Sequence, residues 1–103
     1  MTADQFKEIT DWQKITFPGA TPNSKVAHLV SEVIELDEAL ARNDADKRLE
    51  FADCFLLLFG AAAADGMSYY DVCNAISEKF EINKKRNWGL PDEKGVVNHI
   101  KED

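Results

Sequence analysis

The run Cys54-Phe55-Leu56-Leu57-Leu58-Phe59-Gly60-Ala61-Ala62-Ala63-Ala64 has no polar residue at any helical position. A helix without a polar face has to be enclosed by other elements. The run is too short and too rich in alanine to cross a hydrocarbon layer of about 30 Å, so the enclosure must be protein. A chain of 103 residues has material for one core and hence one domain. Three further helices in so short a chain cover such an element incompletely, which favours an all-α bundle completed by a second subunit, a dimer or tetramer.

The breakers along the chain define four helices. Pro18-Gly19-Ala20-Thr21-Pro22-Asn23 places a loop between a first helix at about 4–16 and a second at about 24–43. On the second, Val26, Leu29, Val30, Val33, Leu36 and Leu40 recur at threes and fours and form an apolar stripe. Asn43-Asp44 makes the next turn, with Asp44 as N-cap of a third helix at about 45–64 that Gly66 ends. Ser68 caps a fourth at about 68–86, with Asp71 as its capping-box partner. Trp88-Gly89-Leu90-Pro91 stops that helix and opens a tail, 87–103, with a turn of helix around Val96 to Lys101. No segment alternates as a strand does.

The net charge of −7 argues against a nucleic-acid backbone as partner, because a broad phosphate face wants a basic stripe. Small phosphorylated ligands remain open to it. Cys54 and Cys73 both lie in helical apolar patterns, the setting of packed, reduced thiols. With no basic-then-apolar leader and no span, the expectation is a soluble cytoplasmic protein with no membrane partner.

Two carboxylate pairs carry the functional signal. Glu32 with Glu35, and Glu50 with Asp53, are each spaced i, i+3 on consecutive helices. Residues so spaced share one helix face, and two such helices side by side aim four carboxylates into one volume. At 4 to 5 Å and an effective dielectric near 20, each like-charge pair costs roughly 3 to 4 kcal/mol. The group must therefore take up protons or bind a hard divalent cation. Glu50 and Asp53 open the most apolar helix, among Leu49, Phe51, Ala52 and Cys54, which is no place for carboxylates that serve solubility. Asp37, Glu38, Asp44 and Asp46 read as a solvated face or turn.

Glu32-x-x-Glu35, a turn, Glu50-x-x-Asp53, and one helix later Lys79-x-x-x-Asn83-x-x-Arg86 resemble, in that order, the MazG-type all-α nucleoside triphosphate pyrophosphohydrolases. The likeness runs nearly end to end. Phe17 to Ser24, His28-Leu29, Glu50 to Asp53, and Lys84 to Gly89 with His99-Ile100-Lys101 are similar to the small phage and bacterial dATP/dGTP pyrophosphohydrolase branch. Where many members carry a second glutamate directly before the first motif, this chain has Ser31.

The resemblance implies a four-helix MazG-like bundle, dimeric or a dimer of dimers, that uses Mg²⁺, with Mn²⁺ as the alternative ion. It implies hydrolysis of an NTP or dNTP to the monophosphate and pyrophosphate, by water attack at the α-phosphorus. Glu32, Glu35, Glu50 and Asp53 would be the catalytic metal ligands, one glutamate serving instead as general base. Lys79 and Arg86 match the family's phosphate contacts and Asn83 its sugar or base contact, and their four-then-three spacing presents all three on one helical face. Lys84 and Lys85 instead complement the negative end of the fourth helix. Trp12 and Trp88 are candidates for stacking on a base, with packing as the rival role, and His28 for a hydrogen bond to a ligand carboxylate. The rival from another class is a non-catalytic helical dimerisation module, which explains the helices and acidity but not the ordered polar set. Within the enzyme class, phosphoribosyl-ATP pyrophosphohydrolase and dUTP pyrophosphatase share fold and acidic motifs, so spacing leaves the base open.

Overall fold

The computed structural model describes residues 1–101. Four helices follow in chain order: α1 Ala3–Thr16, α2 Pro22–Ala41, α3 Lys47–Ala64 and α4 Tyr69–Lys85. Among the described residues no single helix is long and apolar enough to cross a membrane. Two compact units divide the chain, Met1–Val72 and a second from Cys73 onward, with α4 beginning in the first and continuing into the second.

Local chemistry accounts for the boundaries. Thr2 caps α1 through the amide of Gln5. Thr21 and Ser24 form a reciprocal capping box that starts α2 at Pro22, earlier than the breaker cluster suggested, because proline at the first helical turn gives up an amide that has no partner there anyway. Asp44 does not cap α3. Its carboxylate accepts from the amide of Asp46, and the helix opens at Lys47 with Asp46 in the cap position and no side-chain cap bond. Asn43 takes the left-handed conformation at φ 50° that lets α2 reverse into α3. Gly66, at φ 93°, terminates α3 as expected. Ser68 and Asp71 exchange both capping-box hydrogen bonds, 2.8 and 3.1 Å, at the start of α4.

Within the first unit α3 packs chiefly along α2 and secondarily against α1. The inward line of α2 is Lys25, Leu29, Glu32, Leu36 and Ala39, spaced four-three-four-three, and that of α3 is Lys47, Glu50, Cys54, Leu57 and Ala61. The apolar stripe read on α2 therefore splits: Leu29 and Leu36 turn inward, while Val26, Val30 (58% exposed), Val33 and Leu40 face outward. The all-apolar α3 is likewise covered on one side only within a single chain, leaving Phe55 56% and Leu58 51% exposed. Phe6 is the deepest aromatic, edge-on to Phe59 at 5.8 Å and tilted against Tyr69 at 5.7 Å.

The second unit departs from the sequence reading in two places. Arg86 lies just past the end of α4, in a bend, so only Lys79 and Asn83 of the expected trio are helical. The tail makes no helical turn at Val96 to Lys101. It reverses at Asp92 to Gly95 and returns antiparallel, with Trp88 bridged to His99, the amide of Gly89 donating to the carbonyl of Asn98 at 2.9 Å and that of Ile100 to the carbonyl of Asn87 at 2.6 Å. Gly95 at φ 78° and the Asp92 carboxylate, which accepts from the amides of Lys94 and Val96, make that reversal.

Candidate metal centre

Glu32 and Glu50 occupy facing positions of the α2/α3 seam, and Glu35 stands one turn beyond Glu32. Each offers a carboxylate oxygen, and the three oxygens lie within 4.8 Å of one another. One oxygen of Glu32 and one of Glu50 are buried with no hydrogen-bond partner. An orphaned buried carboxylate oxygen is costly, and two of them in one cluster of hard donors are the setting for a hard divalent cation.

The electrostatics point the same way. The Glu32 carboxyl is held above its usual value, first by a hydrogen bond with Glu35, then by burial, then by the charges of Glu35 and Asp53, with His28 pulling in the opposite direction. A like charge so close disfavours the ionised form of its neighbour, and a bound cation relieves that penalty. Asp53 is exposed and stands outside the tight group of three, yet its charge reaches Glu32 and Cys54. Burial, followed by the charges of Glu32, Asp53 and Glu50, pushes the Cys54 thiol up, so the sulfur is a protonated packing atom beside the acids rather than a thiolate. His28 Nε2 lies 3.2 Å from Glu32 Oε1. Glu32 keeps only 17% of its side chain exposed, so this bond helps fix the direction of its carboxylate.

The remaining expected residues distribute as follows. Trp12 is exposed, edge-on to Phe17 at 5.8 Å, and borders an open cleft of about 360 Å³ with Gln5, Ile9, Gln13 and Leu56. In the second unit Lys79 is exposed and the Asn83 side-chain oxygen is buried without a hydrogen-bond partner. Arg86 is half-buried, and Trp88 is pinned by its indole N–H to the Asn83 carbonyl at 2.9 Å and edge-on to His99. Trp88 thus has a structural post that ties the tail to the end of α4.

Three buried polar residues, Thr10, Gln13 and Lys25, escaped the sequence reading, and the Thr10 hydroxyl donates to the Phe6 carbonyl one turn back at 3.0 Å. Gln13 donates from Nε2 to the Leu56 carbonyl at 2.9 Å, joining α1 to α3, and its Oε1 lies so near Gly60 that a Cβ there would come within 2.5 Å. A glycine inside an otherwise apolar helix is the signal that marks such close approach. Lys25 is 7% exposed, with its ammonium 5.5 Å from the Phe17 ring. Nothing in its spacing separates it from a surface lysine.

A family model described as dATP/dGTP pyrophosphohydrolase matches residues 5–103. The chain belongs to that family. It is thereby one of the all-α nucleotide pyrophosphohydrolases. It is 34% identical over 93 residues to the dATP/dGTP diphosphohydrolase of cyanophage S-2L, covering 90% of this chain and 82% of the relative. The Eaa protein of Salmonella phage P22 is 40% identical over 62 residues, 60% of this chain but 20% of that protein. The solved MazG-like pyrophosphohydrolase of cyanophage S-2L, bound to dGDP and three catalytic Mn²⁺ ions per active site, superposes with a TM-score of 0.76 at 30% identity and covers 98% of this chain and 99% of that one. The all-α fold and the metal-binding character expected from the residues both stand with these comparisons.

Proposed function

We propose that this chain hydrolyses a purine deoxynucleoside triphosphate to the monophosphate and pyrophosphate, with divalent metal held by Glu32, Glu35, Glu50 and Asp53. The carrying observation is the seam cluster: three carboxylate oxygens within 4.8 Å, two side chains of which keep a buried oxygen without a partner. The names of the cyanophage relative and its solved structure, which speak of dATP/dGTP, dGDP and Mn²⁺, support the choice of substrate and ion.

When bound, Mg²⁺ or Mn²⁺ neutralises triphosphate oxygens and lowers the pKa of an attacking water. The chain's own residues do the rest. Glu32, braced by His28, and Glu50 fix the direction of the ligand oxygens from two helices locked by the α2/α3 seam. One glutamate of the cluster serves as general base for the attacking water instead of as a ligand. Lys79, Asn83 and Arg86 serve the nucleotide, the cations on phosphate oxygens and the amide on sugar or base. A second copy of the chain would cover the outward faces of α2 and α3, where Val30, Phe55 and Leu58 stand exposed.

A panel of ribo- and deoxynucleoside triphosphates with Mg²⁺, read by pyrophosphate release, tests the reading. Turnover is expected for dGTP and dATP and lost with EDTA. Pyrophosphate release from none of them would overturn it.

A further inference from the structure

We infer that Lys25 and Gln13, in the hollow between the end of α1, the loop after it and the start of α2, select a 6-oxo purine, guanine, over adenine. Two adjoining cavities of about 80 and 150 Å³ share Gln13, Phe17, Ala20 and Lys25 in their walls. Neither reaches the roughly 300 to 1,000 Å³ of a cleft that holds a whole ligand, so the place suits one ring system of a larger molecule. His28 also lines the larger cavity, and its Nε2 lies 3.2 Å from Glu32 Oε1, so the hollow borders the acidic cluster. Lys25 and Glu32 are seven residues apart on the inward line of α2, about 10 Å at the rise of an α-helix, a reach that a sugar and one phosphate bridge.

Two polar groups in this wall lack partners that a base would supply. Lys25 is 7% exposed, and among the described residues its ammonium makes no hydrogen bond or ion pair, with the Phe17 ring beside it at 5.5 Å. A buried ammonium without an acceptor is unfavourable. Gln13 commits its Nε2 to the Leu56 carbonyl, which fixes the amide and leaves Oε1 buried with no donor. An ammonium can only donate, and this oxygen can only accept. The wall therefore asks for an acceptor and a donor on one ligand edge. Guanine carries them as O6 and N1–H, whereas adenine presents the reverse, an N6 amino donor and an N1 acceptor. Hypoxanthine shares the edge of guanine, and so do the 4-oxo pyrimidines; the choice of a purine rests on the nucleotide pyrophosphohydrolase reading proposed above.

The test is a titration of the full-length chain, in EDTA, with deoxyguanosine, deoxyinosine and deoxyadenosine, followed by saturation-transfer NMR. Deoxyguanosine and deoxyinosine should bind on the order of tenfold more tightly than deoxyadenosine, within what a two-point base contact discriminates. Lys25→Met, which puts an apolar chain of similar length in place of the unpaired ammonium, should erase the preference, and Lys7→Gln, outside the hollow, should leave it unchanged. Should Lys25→Met fail to fold, the wild-type ranking of the three nucleosides still decides. In the Mg²⁺-loaded chain the same substitution should lower the ratio of kcat/KM for dGTP to that for dATP, a change that a merely structural role for Lys25 would not produce. Equal binding of the three nucleosides, a preference that survives Lys25→Met, or no binding up to ten millimolar, which would leave the hollow to water, overturns the inference. Because the nucleosides carry no phosphate and no metal enters the titration, failure here is distinct from failure of the pyrophosphohydrolase reading, which the Mg²⁺-dependent panel decides.

Discussion

Replacing Glu50 with Gln separates the cost of the acidic cluster from its use. Glu50 shares a volume with Glu32 and Glu35, their oxygens within 4.8 Å. At an effective dielectric near 20, one pair of full charges at that distance costs about 3.5 kcal/mol. The Glu32 carboxyl is itself raised, first by its hydrogen bond with Glu35, which softens the charge that faces Glu50. Glu35 is exposed, and solvent and salt reduce the repulsion further, leaving about 1 to 2 kcal/mol relieved by the substitution. For a chain of this size that amounts to a rise in Tm of roughly 4 to 16 °C in EDTA. With millimolar Mg²⁺ the ranking reverses. The wild-type chain gains about RT ln(1 + [L]/Kd), whereas the variant, lacking a ligand, gains little and loses turnover. The assay is calorimetry of both proteins with EDTA and with Mg²⁺. A lower metal-free Tm for Glu50→Gln, or an undiminished Mg²⁺ shift, would refute the reasoning.

Three further outcomes follow from the packing. Gly60→Ala should gain about 1 kcal/mol of helix propensity but drive a Cβ to within 2.5 Å of Gln13 Oε1; losing the Gln13–Leu56 bond and repacking a buried amide outweigh the gain, for a net loss of about 1 to 2 kcal/mol. Gln13→Ala in the same chain should remove that penalty, and strict additivity in denaturant unfolding would contradict it. Asp71 is held below its usual value of 3.8, first by the Ser68 amide and then by the Ser68 hydroxyl, so its contribution is present above that pH and lost as pH falls through the folded-state value. Asp71→Ala should accordingly lower Tm at pH 7 and lose its effect in strong acid; an equal deficit at every pH would argue against the cap. Sedimentation at micromolar concentration should give a dimer or tetramer, and Phe55→Glu should shift it towards monomer; a well-folded wild-type monomer would remove the argument from the outward faces of α2 and α3.

The helices and three of the clustered acids were legible because their signals are local. Ser68, Asp71 and Gly66 act within one turn of chain, Glu32 and Glu35 share a face through helix spacing, and two consecutive helices packed side by side bring Glu50 to them. What the sequence could not separate is which apolar face of α2 meets its own α3. Val26, Val30 and Val33 share the three-four pattern with Leu29 and Leu36, and a chain with two apolar faces gives periodicity no means of assigning one to its own fold. The tail failed for a related reason. Its return rests on main-chain bonds between residues about ten apart, Gly89 with Asn98 and Asn87 with Ile100, and main-chain donors leave no trace in side-chain pattern. Arg86 left the helical face because α4 stops one residue before it, a shift smaller than boundary reading from sequence resolves.

The most direct measurement is hydrolysis of dGTP by the Mg²⁺-loaded protein in ¹⁸O-labelled water, with products resolved by mass spectrometry. Attack at the α-phosphorus predicts one labelled oxygen in dGMP and none in pyrophosphate. Label in pyrophosphate would mean attack at the β-phosphorus, and release of orthophosphate would mean a different phosphatase chemistry; either would contradict the mechanism proposed for the cluster of Glu32, Glu35, Glu50 and Asp53.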